Sequence, residues 1–254
     1  MIVASGGESL WVEVDGKGDG PVVVLTHGLG GNHVVWWQQV PALVAGGCRV
    51  VTWDQRGFGR STRNGDFGPG PATTDLLNIL DALRLDCVHL VGQSMGGWAA
   101  MGFALLHPDR LAGLVLTDTF AGVWNDEMAE AQRAAPPRIG PGHPALSPRF
   151  CADHPDRALL YERMSAFGNK PPDDEMLTLL RRTLYGLDAV RSMAVRTLLV
   201  CGAEDQLCPP SAMAAMASLL PNAELVVIDR AGHSPYYERP DEWNRAVLGF
   251  VTAA

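Results

Sequence analysis

The fold is decided by one stretch of the sequence, Cys87-Val88-His89-Leu90-Val91-Gly92-Gln93-Ser94-Met95-Gly96-Gly97-Trp98-Ala99-Ala100. Its mostly apolar beginning leads directly into a Gly-x-Ser-x-Gly turn centred on Ser94, and small residues suited to a helix follow. The pattern predicts a buried strand, a sharp turn and a helix. Glycine at positions 92 and 96 supports this prediction, because so tight a turn leaves no room for side chains two residues either side of the serine.

Such a turn has two interpretations. It can be a nucleophile elbow, which pushes the Ser94 hydroxyl out at the carboxyl edge of the sheet and sets the Met95 N–H at a helix N-terminus, where negative charge is stabilised. It can also be a Gly-Ser turn that only connects a strand to a helix. The strand before the turn and the helix after it favour the elbow.

The composition is that of an ordinary globular protein. A chain of 254 residues, 47% hydrophobic and 19% charged, predicts one large domain or two small ones with a buried core. The formal net charge of −8 disfavours nucleic acid and anionic membranes as partners, since both would repel it. No apolar run approaches the roughly 18 residues of a membrane span, and no basic or apolar leader begins the chain. We therefore expect a cytoplasmic protein.

The metal-ligating residue types show no metal-site spacing. The five cysteines form no Cys-x-x-Cys pair, which argues against a zinc ribbon and a disulfide framework. The histidines outside the candidate site show no His-x-x-x-His pattern. The glycine-rich run at residues 28–31 lacks both Gly-x-Gly-x-x-Gly and a Walker lysine, so nucleotide binding is not expected. We predict neither a metal nor a cofactor.

Strand-like runs alternate with helical patterns along most of the chain. Strands are predicted at residues 10–14 (an edge strand), 21–26, 49–54, 87–91, 111–116, 197–201 and 224–228. Helices are predicted at residues 36–45, 74–83, 212–219 and 241–251, besides the one after Ser94. This βαβ alternation predicts an α/β fold with a mostly parallel central sheet and helices on both faces.

The alternation stops at residues 121–193, which we call the helical insert. Prolines cluster at its centre, and helical patterns lie near residues 126–134, 156–167 and 174–185, with no strand candidate. The insert therefore cannot extend the sheet, and we expect it to cap a core made of residues 1–120 and 194–254. A disordered linker is the alternative, but the insert has too much apolar surface for one.

A serine hydroxyl is a poor nucleophile near neutral pH, so Ser94 needs a base that is itself oriented by a third group. In a parallel sheet these partners should follow later strands at the same edge. Asp205 follows the predicted strand 197–201, and His233 follows the predicted strand 224–228. The chain order Ser, Asp, His is that of an α/β-hydrolase and not that of chymotrypsin or subtilisin.

The chain resembles the α/β-hydrolase family from end to end. Beyond the elbow, the resemblance rests on His27-Gly28, Asp54-x-Arg56-Gly57-x-Gly59-x-Ser61, Gly202-x-x-Asp205 and Gly232-His233-Ser234-Pro235. It implies a catalytic triad of nucleophile Ser94, base His233 and acid Asp205. It also implies an oxyanion hole formed by the backbone N–H groups of Leu29 and Met95.

Other interpretations of nearby polar residues stay open. Glu204 adjoins Asp205, and Asp118 ends the strand before the helical insert, where some relatives place the acid. We expect His27 to brace the oxyanion loop, and Asp54 and Arg56 to form a pair that braces their own loop.

The motifs narrow the range of reactions that the chain is expected to catalyse. Haloalkane dehalogenases and epoxide hydrolases of this fold carry Asp at the elbow, so Ser94 argues against both. The carbon–carbon bond hydrolases of aromatic breakdown share Ser-Met-Gly-Gly, but they usually show Asn where this chain has Gln93 and often Trp where it has Ser234. We predict a serine hydrolase that cleaves a carboxylic ester or lactone of a small, largely apolar substrate through an acyl-enzyme.

Three alternatives remain beside the esterase prediction. These are a carbon–carbon bond hydrolase, a haloperoxidase-like perhydrolase, and a ligand receptor or signalling protein on the same fold. Steady turnover would separate an enzyme from a receptor. The sequence leaves the acyl and leaving groups open, and also the choice between monomer and homodimer.

Several side chains are candidates for the substrate pocket, although each aromatic residue can equally be plain core. The aromatic candidates are Trp36, Trp98, Trp124 and Tyr236. The arginines that could bind a substrate carboxylate, or lie on a solvated helix face, are Arg138, Arg163, Arg181 and Arg182.

Overall fold

The computed structural model describes residues 1–137, 139–140 and 142–253. Arg138, one of the four candidate arginines, lies outside the described residues. In the described part of the chain eight strands form one sheet, in the order β1-β2-β4-β3-β5-β6-β7-β8. The strands are β1 (Ile2–Ser5), β2 (Glu8–Asp15), β3 (Val22–Thr26), β4 (Arg49–Trp53), β5 (Val88–Gln93), β6 (Leu111–Thr117), β7 (Thr197–Gly202) and β8 (Ala223–Ile228).

The sheet is mostly parallel, as predicted. Strands β3 to β8 all pair in parallel, whereas β1 and β2 form an antiparallel hairpin joined to β4. The strand predicted at residues 10–14 is not the edge strand, because β1 pairs outside it. The parallel arrangement brings the carboxyl ends of β5, β6, β7 and β8 to one edge, where functional side chains of such sheets gather.

Helices cover both faces of the sheet and divide the core in two. The core helices are α1 (Gln39–Ala45), α2 (Pro69–Ala82), α3 (Gly96–Leu106), α9 (Pro210–Leu219), α10 (Pro235–Glu238) and α11 (Pro240–Thr252). Side chains of α2, α3 and α9 pack on one face, and those of α1 and α11 on the other. Successive strand residues serve opposite faces, so Val24 joins the first core while Val23 and Leu25 join the second.

The helical insert contains helices and, in its described residues, no strand. Its helices are α4 (Asp126–Ala134), α5 (Pro148–Asp153), α6 (Pro155–Ser165), α7 (Asp173–Arg182) and α8 (Leu187–Arg191). Two of these helices begin at side-chain N-caps. Asn125 accepts from the N–H of Met128 at the start of α4, and Ser147 accepts from the N–H of Phe150 at the start of α5. Asn32 connects the insert to the core. Its side-chain amide donates to the carbonyl of Met164 at 3.1 Å and to that of Phe167 at 3.0 Å, at the end of α6.

Within the described ranges, no helix combines the length and the apolar character that crossing a membrane requires.

Candidate active site

The turn at Ser94 has the geometry of an elbow. Ser94 lies between β5 and α3 with a φ of 48°, in the left-handed region that non-glycine residues rarely occupy. Its N–H donates to the carbonyl of Thr117 at 3.0 Å. A Cβ at Gly96 would lie 2.5 Å from the carbonyl oxygen of Thr26, and one at Gly92 would lie 2.8 Å from the Gly96 carbonyl. Only glycine therefore lets β5, β3 and the start of α3 approach this closely.

Ser94, His233 and Asp205 form one continuous hydrogen-bonded series. Asp205 lies in the loop after β7 and His233 in the loop after β8, at the sheet edge where Ser94 emerges. The imidazole Nε2 lies 2.9 Å from the Ser94 Oγ, and its Nδ1 lies 2.8 Å from Asp205 Oδ2. Since a carboxylate only accepts, Nδ1 carries the hydrogen and Nε2 is free to take the serine proton.

The surroundings of Asp205 stabilise its charged form. The carboxyl group is buried, and its Oδ1 accepts the N–H groups of Leu207 at 2.8 Å and Cys208 at 3.1 Å. Burial raises the pKa of Asp205, but His233 and these two hydrogen bonds outweigh it and hold the pKa below its usual value. Asp205 is thus suited to orient the imidazole and to stabilise an imidazolium.

The loop after β3 brings Leu29 beside the serine. Gly28 allows this approach, since a Cβ there would lie 2.1 Å from the Gln93 Oε1 and 3.0 Å from the Ser94 Cβ. Leu29 and Met95 line the same cavity as Ser94, and Met95 is the N-cap residue of α3. The predicted oxyanion-hole residues therefore flank Ser94, one of them at the positive end of a helix.

His27 braces this loop. Its Nδ1 donates to the carbonyl of Gly28 at 2.8 Å, and its Nε2 accepts the N–H of Gln55 at 3.1 Å. Burial lowers the pKa of His27. A neutral ring with a hydrogen bond at each nitrogen can brace the loop, which is the role predicted for His27.

The expected pair between Asp54 and Arg56 is wrong. Arg56 instead forms a two-point contact with Asp75 of α2, at 2.6 and 2.7 Å. Asp54 accepts from the ring of His33 and from the N–H of Arg60, both at 2.8 Å. The two side chains point to different partners because the chain turns between them and Phe58, whose N–H donates to the carbonyl of Gln55 at 2.9 Å.

A largely apolar cavity of about 540 Å³ opens onto Ser94 and His233. Trp98 and Trp124, two of the predicted pocket residues, line this cavity. The insert contributes one further wall, formed by residues of α4, α7 and the segment after α7, namely Gln132, Leu177, Leu180, Arg181 and Leu184. Phe120 and Leu207 also line the cavity and were not predicted, since the only signal in their sequence is that they follow β6 and β7 at the carboxyl edge of the sheet.

Trp36 and Tyr236 were predicted to line the pocket, and the structure corrects this. Neither is among the cavity-lining residues of the described chain, and both are buried in the core under α1 and α11. Their rings pack on each other with centroids 4.8 Å apart, and Trp36 also packs on Trp243. They lie on the sheet face opposite to α3, so their role is packing.

The alternative acids occupy different positions. Glu204 forms an ion pair with Arg149 at 3.1 Å on the surface. Asp118 is buried, and it lies close enough to Asp205 for the charge of Asp205 to raise its pKa. Of the three carboxyl groups, Asp205 is the one that contacts His233.

One group of possible metal ligands coincides with this site. Ligand atoms of Asp205, Cys208 and His233 lie within 4.8 Å of one another. Burial raises the pKa of the Cys208 thiol well above its ordinary value, whereas metals bind the thiolate. Asp205 and His233 also bond to each other, so these residues are poorly suited to hold a metal.

The parallel sheet, the serine elbow and the Ser–His–Asp geometry are those of the α/β-hydrolase class. Residues 23–246 match the model of the alpha/beta hydrolase family, and the chain belongs to that family. A candidate carbamate hydrolase, RutD of Caulobacter segnis, is 32% identical over 92% of each chain. The 3-oxoadipate enol-lactonase 1 of Acinetobacter baylyi is 27% identical over 99% of this chain and 96% of its own.

A solved structure agrees with this assignment. The thermophilic esterase of Thermogutta terrifontis, determined with malate bound, superposes with a TM-score of 0.83. It is 29% identical, over 99% of this chain and 97% of its own.

Proposed function

We propose that this protein is a serine hydrolase that cleaves a carboxylic ester or lactone through an acyl-enzyme. The observation that carries the proposal is the unbroken hydrogen-bonded series from Ser94 through His233 to Asp205. The names of an enol-lactonase and an esterase among the similar proteins support the same bond type.

In the proposed mechanism His233 acts first as a base and then as an acid in each half-reaction. His233 Nε2 takes the Ser94 proton as Oγ attacks the substrate carbonyl, and the N–H groups of Leu29 and Met95 hold the resulting oxyanion. His233 then gives this proton to the departing alkoxide, which leaves the acyl group on Ser94. In the second half-reaction His233 takes a proton from water, hydroxide attacks the acyl-enzyme, and the proton returns to Ser94.

The cavity supports a substrate with a largely apolar acyl portion. Its walls are mainly leucine, tryptophan and phenylalanine side chains, which gain free energy by burying apolar surface. Carbamate hydrolysis is the second candidate, favoured by the 32% identical relative. The same triad could attack a carbamate carbonyl, but a small polar carbamate would leave most of this cavity unfilled.

The test is the time course of p-nitrophenyl butyrate hydrolysis by the native protein and by Ser94→Ala, with a p-nitrophenyl carbamate in parallel. We expect steady turnover of the ester by the native protein and a loss of roughly a millionfold in Ser94→Ala. A single burst followed by arrest would favour a receptor, and equal rates in both proteins would reduce Ser94 to a turn residue. Faster turnover of the carbamate would favour the second candidate.

The other expectations about the protein stay predictions. These are a cytoplasmic location, no cofactor, no nucleic-acid or membrane partner, a monomer or homodimer, and a capping role for the helical insert.

A further inference from the structure

A second buried carboxyl group lies directly behind the triad. Asp118 directly follows β6, has no exposed surface and has a φ of 50°. Its Oδ1 accepts the N–H of Gly202 at 3.0 Å, and its Oδ2 accepts the hydroxyl of Thr117 at 2.8 Å. Gly202 connects Asp118 to Asp205, because the N–H of Asp205 donates to the Gly202 carbonyl at 3.1 Å, and the charge of Asp205 acts on Asp118 and raises its pKa. The mechanism derived above gives Asp118 no task.

Two neighbouring buried carboxyl groups are stable together only if one of them carries a proton, which it can then donate to the other. Asp205 accepts three N–H donors, from Leu207, Cys208 and the imidazole of His233, all of which favour its ionised form. Asp118 has no contact with a basic side chain among the described residues, and a second buried negative charge beside Asp205 would be costly. Burial, and then the charge of Asp205, raise the pKa of Asp118 well above its ordinary value. The proton therefore belongs on Asp118.

We propose that Asp118 is a protonated positioning residue, whose O–H donates to Asp205 and holds that carboxylate in line with the imidazole of His233. This inference rests on the proposed function for its catalytic consequence, but not for the location of the proton. The donated hydrogen bond also draws charge from Asp205, so Asp118 moderates the basicity of His233.

The contacts behind Asp118 extend this arrangement into the core. The indole Nε1 of Trp243 in α11 donates to Thr117 Oγ1 at 3.2 Å, and the Thr117 hydroxyl then donates to Asp118. The series continues through Asp205 and His233 to Ser94. Each donor in such a buried series polarises the next, and the fixed end at Trp243 limits how far Asp118 can move.

A variant series separates the possible states of Asp118. Asp118→Ala removes the donor, whereas Asp118→Asn keeps one N–H for Asp205 and one oxygen for the N–H of Gly202. The measured quantities are kcat, KM and the acid limb of the kcat/KM profile with p-nitrophenyl butyrate. In Asp118→Ala we expect kcat to fall at least tenfold with little change in KM, and the acid limb to move to higher pH. The limb moves up because Asp205, with one donor fewer, stabilises the imidazolium more strongly.

The Asp118→Asn variant distinguishes a protonated Asp118 from an ionised one. We expect it to recover most of the kcat lost in Asp118→Ala and to keep the acid limb near that of the native protein. If Asp118 were ionised, both substitutions would remove a negative charge and move the limb to lower pH, which would overturn the proposal. If the variants only reduce the amount of folded protein and leave the acid limb of kcat/KM unchanged, Asp118 has a structural role and the proposal is wrong. The other titratable groups near Asp118 are common to all variants, namely His233, Cys201, Cys208, Tyr161 and Tyr236.

An infrared measurement needs no turnover and keeps the two proposals apart. A protonated carboxyl group has a C=O stretching band that a carboxylate lacks. We expect the difference spectrum of native protein minus Asp118→Asn at neutral pH to show this band, whether or not the protein hydrolyses esters. A difference spectrum with only carboxylate bands would overturn the placement of the proton.

Discussion

At the scale of single residues, the site depends on how closely the backbone segments approach one another. Ser94 is held in its left-handed conformation by main-chain bonding to β6 and by the hydroxyl of Thr119, which donates to the Ser94 carbonyl at 2.7 Å. Conformations of this kind cost free energy and persist only where the surroundings impose them. The glycines at the turn are part of these surroundings.

Gly96→Ala tests this dependence. The new Cβ would lie 2.5 Å from the Thr26 carbonyl and 2.7 Å from that of His27, so α3 must move away from β3. We expect a loss of about 1–3 kcal/mol in the free energy of unfolding and roughly a hundredfold fall in kcat/KM as Ser94 is displaced. Urea unfolding and p-nitrophenyl butyrate hydrolysis measure the two effects.

Gly249→Ala is the matched control, because Gly249 also lies in a helix. A Cβ there has open space around it. We expect this variant to gain up to about 1 kcal/mol of stability with its activity intact. Equal behaviour of the two variants would mean that close packing at the elbow does not position Ser94.

At the scale of secondary-structure elements, the sequence predicts those with a long periodic or continuous apolar pattern. The parallel strands and α4 lie where the pattern places them, since a buried strand needs an unbroken apolar run. The short elements β1, α5 and α8 were not predicted. Four to six residues carry too little periodicity, and tertiary contacts decide their conformation. The predicted helix at 36–45 likewise begins only at Gln39, after a 3₁₀ turn that Asn32 caps.

The candidate site follows the same rule. Ser94, Asp205 and His233 could be predicted because each follows a strand at one edge of the sheet, and topology alone then brings them together. The sequence could not predict whether Trp36 and Tyr236 pack in the core or line the cavity, because an aromatic side chain near that edge can turn to either face of the sheet. Contacts across distant segments, such as Arg56 with Asp75, leave no local pattern.

Helix α7 places one cationic side chain in the wall of the cavity, and this predicts a preference for a charged substrate. Arg181 is the only lysine or arginine among the described residues that line the cavity, and apolar neighbours from the same helix surround it there. We expect the native protein to prefer 4-nitrophenyl hydrogen adipate over its methyl ester, which has the same chain without the charge. Arg181→Gln should lower this preference roughly tenfold, the value of one hydrogen bond to a charged group.

Arg182→Gln is the control for Arg181→Gln. Both arginines lie in the last turn of α7 and interact alike with the helix dipole, but Arg182 does not line the cavity. We expect Arg182→Gln to keep the native ratio of kcat/KM for the two esters. If both variants change the ratio equally, the effect is the general charge of the helix, and Arg181 binds no carboxylate.

At the scale of the whole molecule, both faces of the sheet are buried, so titratable side chains on the central strands lie far from water. His89 of β5 is one of them: it packs against Phe250 of α11, with ring centroids 6.1 Å apart. Burial, and to a smaller extent the charge of Arg196, lower the pKa of His89 to about 4. Its proton affinity therefore depends on whether the protein is folded.

This difference predicts how stability changes with pH. In the unfolded chain His89 takes up a proton as the pH falls through about 6.5, whereas in the folded protein it stays neutral down to about 4. The contribution of His89 is therefore constant above the unfolded pKa and is lost as the pH falls towards the folded pKa. The loss amounts to about 2 kcal/mol in the free energy of unfolding between about pH 7.5 and pH 5.

His89→Gln should remove this dependence. We expect its free energy of unfolding, measured in urea at the two pH values, to change by about 2 kcal/mol less than that of the native protein. The comparison isolates His89, because groups whose pKa is shifted the other way, such as Glu238, are present in both proteins. His107→Gln, at a half-buried position after α3, should change with pH as the native protein does. If His89→Gln keeps the full native dependence, the ring of His89 must be protonated in the folded state, and the packing of β5 against α11 must admit water.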